Sequence, residues 1–442
     1  MLAAMPPTPT SPADPGEPRI RDRGDACPGA LRLHSADDGR LARLRLPGGF
    51  LTEHQLTVLA AASDGLGDGS LSITSRGNLE LRGLSDACGA PLAALLRDAG
   101  LLPSETHERV RNVVASPLAG LDGLGFADVQ LWTRELDALL CGSEWTAALS
   151  GRFLFALDDG RGDVAGLGAD VTLLAGEGGA AVLRIARHAF RVAGSDAPRA
   201  ALAAARAFLA ASAEAGTGAW RVRELPAGLH LAVGERLERA GVAAEALPVP
   251  PAGPSYPGPL PGYVPGPLPG IVAGPRGWAV SAVAPLGRLS SAQARALLPA
   301  PAEGVRLTPW RGVVVPGFTD AAAARARLDA LGRAGFVVGT DSPRYGVGAC
   351  TGRPGCAKSL ADVRADAEAT PVDGQGIPVY WSGCERRCGH PRGDYVDVLA
   401  SPDGTYRVSV HGSPVSVSVS PGARLAGAVA AARTDSRTCP PR

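Results

Sequence analysis

At 442 residues the chain is too long for one ordinary core, so two to four structural units are expected. A net charge of +1 with 20% charged residues excludes an overall nucleic-acid binder or an acidic tail, and no run approaches the ~18 consecutive apolar residues of a membrane span. Eight cysteines in a chain of this kind point to metal or redox chemistry ahead of a disulfide framework. Lys358 is the only lysine, so nearly every positive charge is arginine, and an arginine taken alone is weak evidence of a site.

Residues 1–24 carry Pro, Ser, Thr and Asp without the apolar run of a secretory signal. They read as a disordered leader, with Met5 offering a second start and a cytoplasmic location implied. Residues 25–105 then read as strand, glycine turn, helix and strand, with Thr52 as the helix cap. Residues 106–246 mix a helix-like ELDALL, a strand-like RFLFALDD and an Ala-rich helix from about Arg199 to Ala215. From 247 to 270 proline and glycine are too dense for a helix or a central strand, which makes an extended linker. Residues 271–340 repeat the first unit, with Ser290 as the cap. Each repeat places a Thr and an Arg close together at its second strand, Thr74 with Arg76 and Thr308 with Arg311. Residues 341–430 hold the cysteine motifs and then alternating strands, DYVDVLA, YRVSVHG and SPVSVSVS, before a tail at 431–442. Matching order on both sides of a linker predicts a duplicated α+β protein with pseudo-twofold symmetry.

The strongest chemical signal is Cys350-x5-Cys356 followed by Cys384-x3-Cys388. Four thiolates brought from two loops suit an iron–sulfur cluster, and Gly352, Pro354, Gly355, Gly383 and Gly389 permit the tight turns that aim N–H groups at sulfur. A structural zinc site prefers two to four residues between paired ligands, which the five-residue gap exceeds. Covalent haem needs C-x-x-C-H, which Cys384 to His390 does not supply. Cys27, Cys88, Cys141 and Cys439 are scattered, and the first three read as plain small residues.

With these cysteines, the preceding T-P-W-R strand, Arg43-x-Arg45-Leu-Pro-Gly-Gly49, Thr74-Ser-Arg76 and Arg111-Asn-Val113, the chain resembles the nitrite and sulfite reductase hemoprotein family from about Ala26 to Gly412. The resemblance implies two ferredoxin-like half-domains plus two α/β domains that hold a [4Fe–4S] cluster and a tetrapyrrole. It implies that Cys350, Cys356, Cys384 and Cys388 bind the cluster and that Cys388 bridges it to a sirohaem-type iron. It also places Arg45, Arg76, Arg111 and Arg152 at the tetrapyrrole, where guanidinium groups would meet acetate and propionate arms with fixed geometry.

One departure is informative. The reductases carry two lysines in a K-x-K strand that deliver protons to the bound anion, and the corresponding stretch here has Arg152 and Leu154. Arginine is not a proton donor near neutral pH and leucine has no proton to give. The PLGRL and RLTPWR strings and C-x5-C-A-x-S-L-A-D-V-R are similar to the precorrin-3B synthase branch of the family. That branch implies an O2-dependent monooxygenation of precorrin-3A at C20 with lactone formation, in aerobic cobalamin biosynthesis. An iron, mononuclear or sirohaem-type, would activate oxygen, and NADH would be the ultimate electron source through a partner protein. A sirohaem sulfite or nitrite reductase is the first alternative; a non-catalytic iron–sulfur carrier or tetrapyrrole-binding protein is the second. No spacing singles out iron ligands among the seven histidines, although His390 lies two residues from Cys388. The Gly65–Gly69 and Gly123–Gly125 glycines lack the strand–turn–helix setting of a dinucleotide site.

Overall fold

The computed structural model describes residue 25 and residues 27–248, 266–299, 304–372, 376–391 and 393–434. The leader at 1–24, most of the linker (249–265) and the end of the tail (435–442) lie outside the described residues. In chain order the first half forms β1 (His34–Ala36), β2 (Gly39–Leu44), β3 (Phe50–Leu51), α1 (Glu53–Leu66), β4 (Ser70–Ile73), β5 (Leu79–Leu84) and α2 (Gly89–Asp98). It continues with β6 (Val113–Ala115), α3 (Val129–Cys141), β7 (Phe155–Asp158), β8 (Val171–Ala175), β9 (Ala180–Ile185), β10 (His188–Ala193), α4 (Ala197–Ala215), α5 (Val233–Arg239) and β11 (Ala244–Ala246). The second half forms β12 (Gly270–Gly274), β13 (Gly277–Val283), β14 (Arg288–Ser290), α6 (Ser291–Ala296), β15 (Val305–Leu307), β16 (Gly312–Phe318) and α7 (Ala321–Arg333). It ends with β17 (Val347–Ala349), α8 (Val363–Ala369), β18 (Val379–Ser382), β19 (Val396–Ala400), β20 (Tyr406–Val410), β21 (Ser416–Val419) and α9 (Ala423–Thr434).

The duplication shows in the sheets. One is ordered β1-β2-β5-β4-β14 and its counterpart β12-β13-β16-β15-β3, so each half lends a short strand to the edge of the other half's sheet. The lent strands occupy equivalent positions, each following a Pro-containing turn and preceding a capped helix. Thr52 accepts from Gln55 N while Gln55 reaches back to Thr52 N, and Ser290 and Gln293 make the same reciprocal box. Even the distal bonds match, with Gln55 Nε2 donating to Ala99 O and Gln293 Nε2 to Ala334 O, both at 3.2 Å. Because the strands are exchanged and α1 packs on α6, Leu56, Leu59, Leu71 and Leu81 share one buried core with Val280, Leu297, Val305 and Val315.

The remaining sheets are also a pair. β6, β7 and β8 run parallel and are followed antiparallel by β9 and β10; β17, β18 and β19 run parallel and are followed antiparallel by β20 and β21. The alternating segments read from the sequence become β19, β20 and β21, and the Ala-rich stretch becomes α4.

The two turns after β4 and β15 are superposable in their hydrogen bonds, and their register shows which residues are equivalent. Asn78 N donates to Thr74 Oγ1 at 3.1 Å and Gly312 N to Thr308 Oγ1 at 3.0 Å, while Gly77 N and Arg311 N donate to the two threonine carbonyls. The equivalent of Arg76 is therefore Trp310, and Arg311 stands where the first half has Gly77. Arg311 has φ 61° and Gly77 φ 68°, so an arginine occupies a left-handed position that glycine fills elsewhere.

Candidate active site

The cysteines sit at the carboxyl ends of adjacent parallel strands, where ligands bind in open α/β sheets. Cys350 follows β17 and Cys384 follows β18. Cys350 N donates to Trp381 O at 2.9 Å, and Gly383 N donates to Cys350 Sγ at 3.2 Å. Gly383 must be glycine, because a Cβ there would lie 1.8 Å from Ser359 Oγ. Burial pushes the Cys350 thiol up, opposed by the N–H groups of Gly383 and Gly352. All four thiols are free, with Cys350, Cys356 and Cys384 half-buried and Cys388 exposed. Among the described residues no three of these sulfurs lie within 4.8 Å of one another. Sulfurs on one tetrahedral zinc at 2.3 Å would be about 3.8 Å apart. The donor set of four thiolates on glycine-rich loops, with an N–H already aimed at one sulfur, fits an iron–sulfur cluster.

Contacts from outside the cysteine segments hold these loops. Ala357 N donates to Asp37, and Arg82, paired with Asp38 at 2.9 Å, donates from Nη2 to Gly355 O at 2.6 Å. The turn between β1 and β2 thus clamps the Cys356 loop. Tyr380 OH donates to Cys388 O at 2.6 Å, and Arg311 lies over the Tyr380 ring while its Nη2 donates to Gly389 O at 2.8 Å. His390 stacks on Tyr395 with centroids 5.5 Å apart, and Tyr395 stacks on His411 at 4.7 Å.

The arginines named from the sequence divide. Arg45 is 4% exposed and donates from Nε to Arg109 O and from Nη2 to Gly151 O and Cys27 Sγ, each at 3.2 Å. Its Nη1 is buried with no partner among the described residues, a donor that lacks an acceptor. Arg76 is half-buried, and burial followed by the nearby Arg221 and Arg45 pushes it down to about 10, so it stays charged at neutral pH. Arg43 lies in the same cluster and is paired with Glu80. Arg152 is exposed and lies over the Trp220 ring at 4.8 Å. Arg111 is placed differently: its Nε and Nη2 meet both oxygens of Asp137 at 2.7 Å, and its Nη1 donates to Leu101 O. That fork is already filled by a carboxylate of the protein.

Leu154 is 2% exposed and belongs to an apolar cluster with Val114, Ala156 and Val164, against which Trp310 packs. The same turn joins the two regions. A Cβ at Gly77 would lie 3.1 Å from Leu307 O, so the Arg76 turn abuts the turn whose Arg311 holds Gly389 beside Cys388. In the first half the carboxyl ends of β6 and β7 carry Ser116, Asp158, Asp159 and Asp163 instead of cysteines. The Asp158 carboxylate there accepts from the N–H groups of Gly160, Gly162, Val164 and Ala165. Sequence reasoning gives no role to Arg82, Arg221 and Tyr380, which come from separate segments and share no spacing, reads Cys27 as a plain small residue, and quotes Arg364 only as the last residue of the C-A-x-S-L-A-D-V-R string.

Comparison with known proteins agrees with this architecture. Residues 34–99 match the nitrite/sulfite reductase ferredoxin-like half domain. The NirA protein of Mycobacterium tuberculosis superposes with a TM-score of 0.59 at 18% identity, over 86% of this chain and 77% of that one. The chain has the nitrite and sulfite reductase fold. Within that fold, a precorrin-3B synthase from Sinorhizobium sp is 29% identical over 407 residues, covering 88% of this chain and 83% of the relative. The ferredoxin–nitrite reductase of Synechococcus elongatus is 35% identical over 127 residues, only 25% of that protein. No helix among the described residues is long and apolar enough to cross a membrane.

Proposed function

We propose that the protein is a precorrin-3B synthase-type monooxygenase of aerobic cobalamin biosynthesis. The protein is an oxidoreductase. It hydroxylates precorrin-3A at C20 and closes a ring A acetate to a lactone; one oxygen atom of O2 enters the ring and the other leaves as water, for two electrons and two protons. NADH supplies the electrons through a partner protein, and the work belongs to the cytoplasm. The observation that carries this reading is Leu154, buried against Val114, Ala156 and Trp310 where the resemblance to the reductases calls for a proton-donating lysine. It is supported by likeness to a precorrin-3B synthase along 88% of the chain.

Cys350, Cys356, Cys384 and Cys388 hold a [4Fe–4S] cluster, which supplies electrons one at a time. Arg45, Arg76 and Arg152 bind the acidic arms of the tetrapyrrole. The Nη1 of Arg45 and the fork of Arg76, both without a partner among the described residues, account for one carboxylate each. Trp310 and the Leu154 cluster give the ring an apolar, water-poor flank. Arg111, named with them from the sequence, acts by holding α3 through Asp137.

The test is to purify the protein without air, measure iron and sulfide, and supply precorrin-3A with 18O2 and a reductant. One 18O atom in the product is expected. Stoichiometric sirohaem extracted into acidified acetone, with turnover of sulfite or nitrite and no oxygen uptake, would overturn the reading in favour of a reductase.

A further inference from the structure

Three guanidinium groups grip the main chain of the cysteine loops. Arg364, on α8, donates from Nε to Cys350 O at 3.1 Å and from Nη1 to Leu286 O at 3.3 Å. Arg82, on β5, donates to Gly355 O beside Cys356 at 2.6 Å. Arg311, on the turn before β16, donates to Gly389 O beside Cys388 at 2.8 Å. Three of the four cysteines thus have one of these cations bonded to their own or the adjoining carbonyl, and the fourth, Cys384, has Arg387, itself paired with Glu385 and Asp397, bonded to the adjoining Glu385 O.

The three differ in one respect. Arg82 is neutralised by Asp38 at 2.9 Å. Among the described residues neither Arg311 nor Arg364 has a carboxylate partner, and Arg288 and Arg311 are the charged neighbours of Arg364. Cations crowded together and half-buried without an anion are unfavourable unless an anion belongs among them. Backbone strain is concentrated at the same place. Of the four non-glycine residues with positive φ among the described residues, Arg311 and Leu286 take part in these contacts and Arg387 lies between Cys384 and Cys388. Such strain persists where the surroundings over-determine it, most often at functional sites.

We propose that Arg311 and Arg364, with Arg82 as a neutralised third member, form a cationic collar on the cysteine loops that raises the reduction potential of the cluster held there. This rests on the reading of the four cysteines as cluster ligands. Four thiolates on a 2+ core leave about two negative charges, and reduction adds another, so nearby cations favour the reduced form. These are positioning residues that touch the loops and not the reacting atoms.

The experiment is a potentiometric titration, read by electron paramagnetic resonance, of the reconstituted full-length protein and its Arg311→Gln, Arg364→Gln, Arg311→Lys and double Arg82→Gln, Asp38→Asn variants. At a fixed ambient potential, Arg311→Gln and Arg364→Gln should each move the reduced-to-oxidised ratio about tenfold toward oxidised, ~59 mV for one electron. Arg82→Gln made together with Asp38→Asn, which removes a pair of no net charge, should move it far less, and Arg311→Lys should stay near the parent value. The collar is overturned if the two glutamine variants retain full iron and sulfide with the parent potential. It is equally overturned if Arg311→Lys shifts as far as Arg311→Gln, since charge would then not be the cause. A parent protein that binds no iron and sulfide is a different failure, which removes the cluster reading itself.

Discussion

Arg76 and Arg111 both stand on family-like motifs, yet their surroundings dictate opposite behaviour. Arg111 shares two hydrogen bonds with Asp137, so Arg111→Ala strands a largely buried carboxylate and should cost roughly 2–3 kcal/mol, seen as a lower urea midpoint. Arg76 meets no protein carboxylate among the described residues, so Arg76→Ala should change stability by less than about 0.5 kcal/mol. The same change should weaken binding of a polycarboxylated porphyrin such as uroporphyrin about tenfold, measured by tryptophan fluorescence quenching. Leu154→Lys tests the apolar flank. An ammonium placed against Val114, Ala156 and Trp310 should destabilise the fold by roughly 3 kcal/mol at neutral pH. The loss should shrink as pH rises toward 10, because the folded state holds that lysine neutral while the unfolded state still binds its proton. Neither partner of Arg111 nor the setting of Leu154 follows from spacing: Asp137 is one of many acidic helix residues, and only the tertiary fold brings Trp310 over residue 154.

Elements that carry their own local signals were readable, and those that depend on distant partners were not. The Thr52 and Ser290 caps announced α1 and α6 because a capping box is complete within four residues. Thr52→Ala and Ser290→Ala should each cost about 1 kcal/mol, with matching losses in thermal unfolding because the two boxes are equivalent. By contrast β3 is two residues long, Phe50–Leu51, too short for any alternation, and its pairing with β15 is set by the other half of the chain. Each threonine of the pair Thr74 and Thr308 stands close to an arginine in the sequence, but the spacing differs by one residue, and the turn hydrogen bonds set Trp310, not Arg311, opposite Arg76. The loop from Asp158 to Ala165 was read only as the end of a strand. Burial and the neighbouring Asp158 push Asp163 up to about 7, well above an unfolded aspartate near 3.9. The folded state then binds the extra proton between about pH 4 and 7, so stability falls as pH rises through that window. Asp163→Asn, which preserves a partner for Ser116 Oγ, should flatten the slope of urea midpoint against pH across it.

At the scale of the whole molecule, the sequence made the duplication legible through matched order and caps, and the cysteine spacing pointed to two loops that begin at the ends of β17 and β18. What it hid was that the halves are not separable. β14 closes the edge of the first half's sheet against β4 and β3 closes the second half's against β15, so one core runs through both. A protein cut after residue 248 should therefore fail to give a sharp unfolding transition, whereas co-expression with the remaining segment should restore it; differential scanning calorimetry distinguishes the outcomes. The exchange also has a cost in time. During synthesis Ile73 leaves the ribosome about 215 residues before Arg288, and at 5–20 residues per second that is roughly 10–40 s. Through that interval the Ser70–Ile73 edge has no strand to pair with, an open template for another chain. From this wait, set by topology alone, nascent chains should be drawn to chaperones, and the soluble yield should change when translation is slowed.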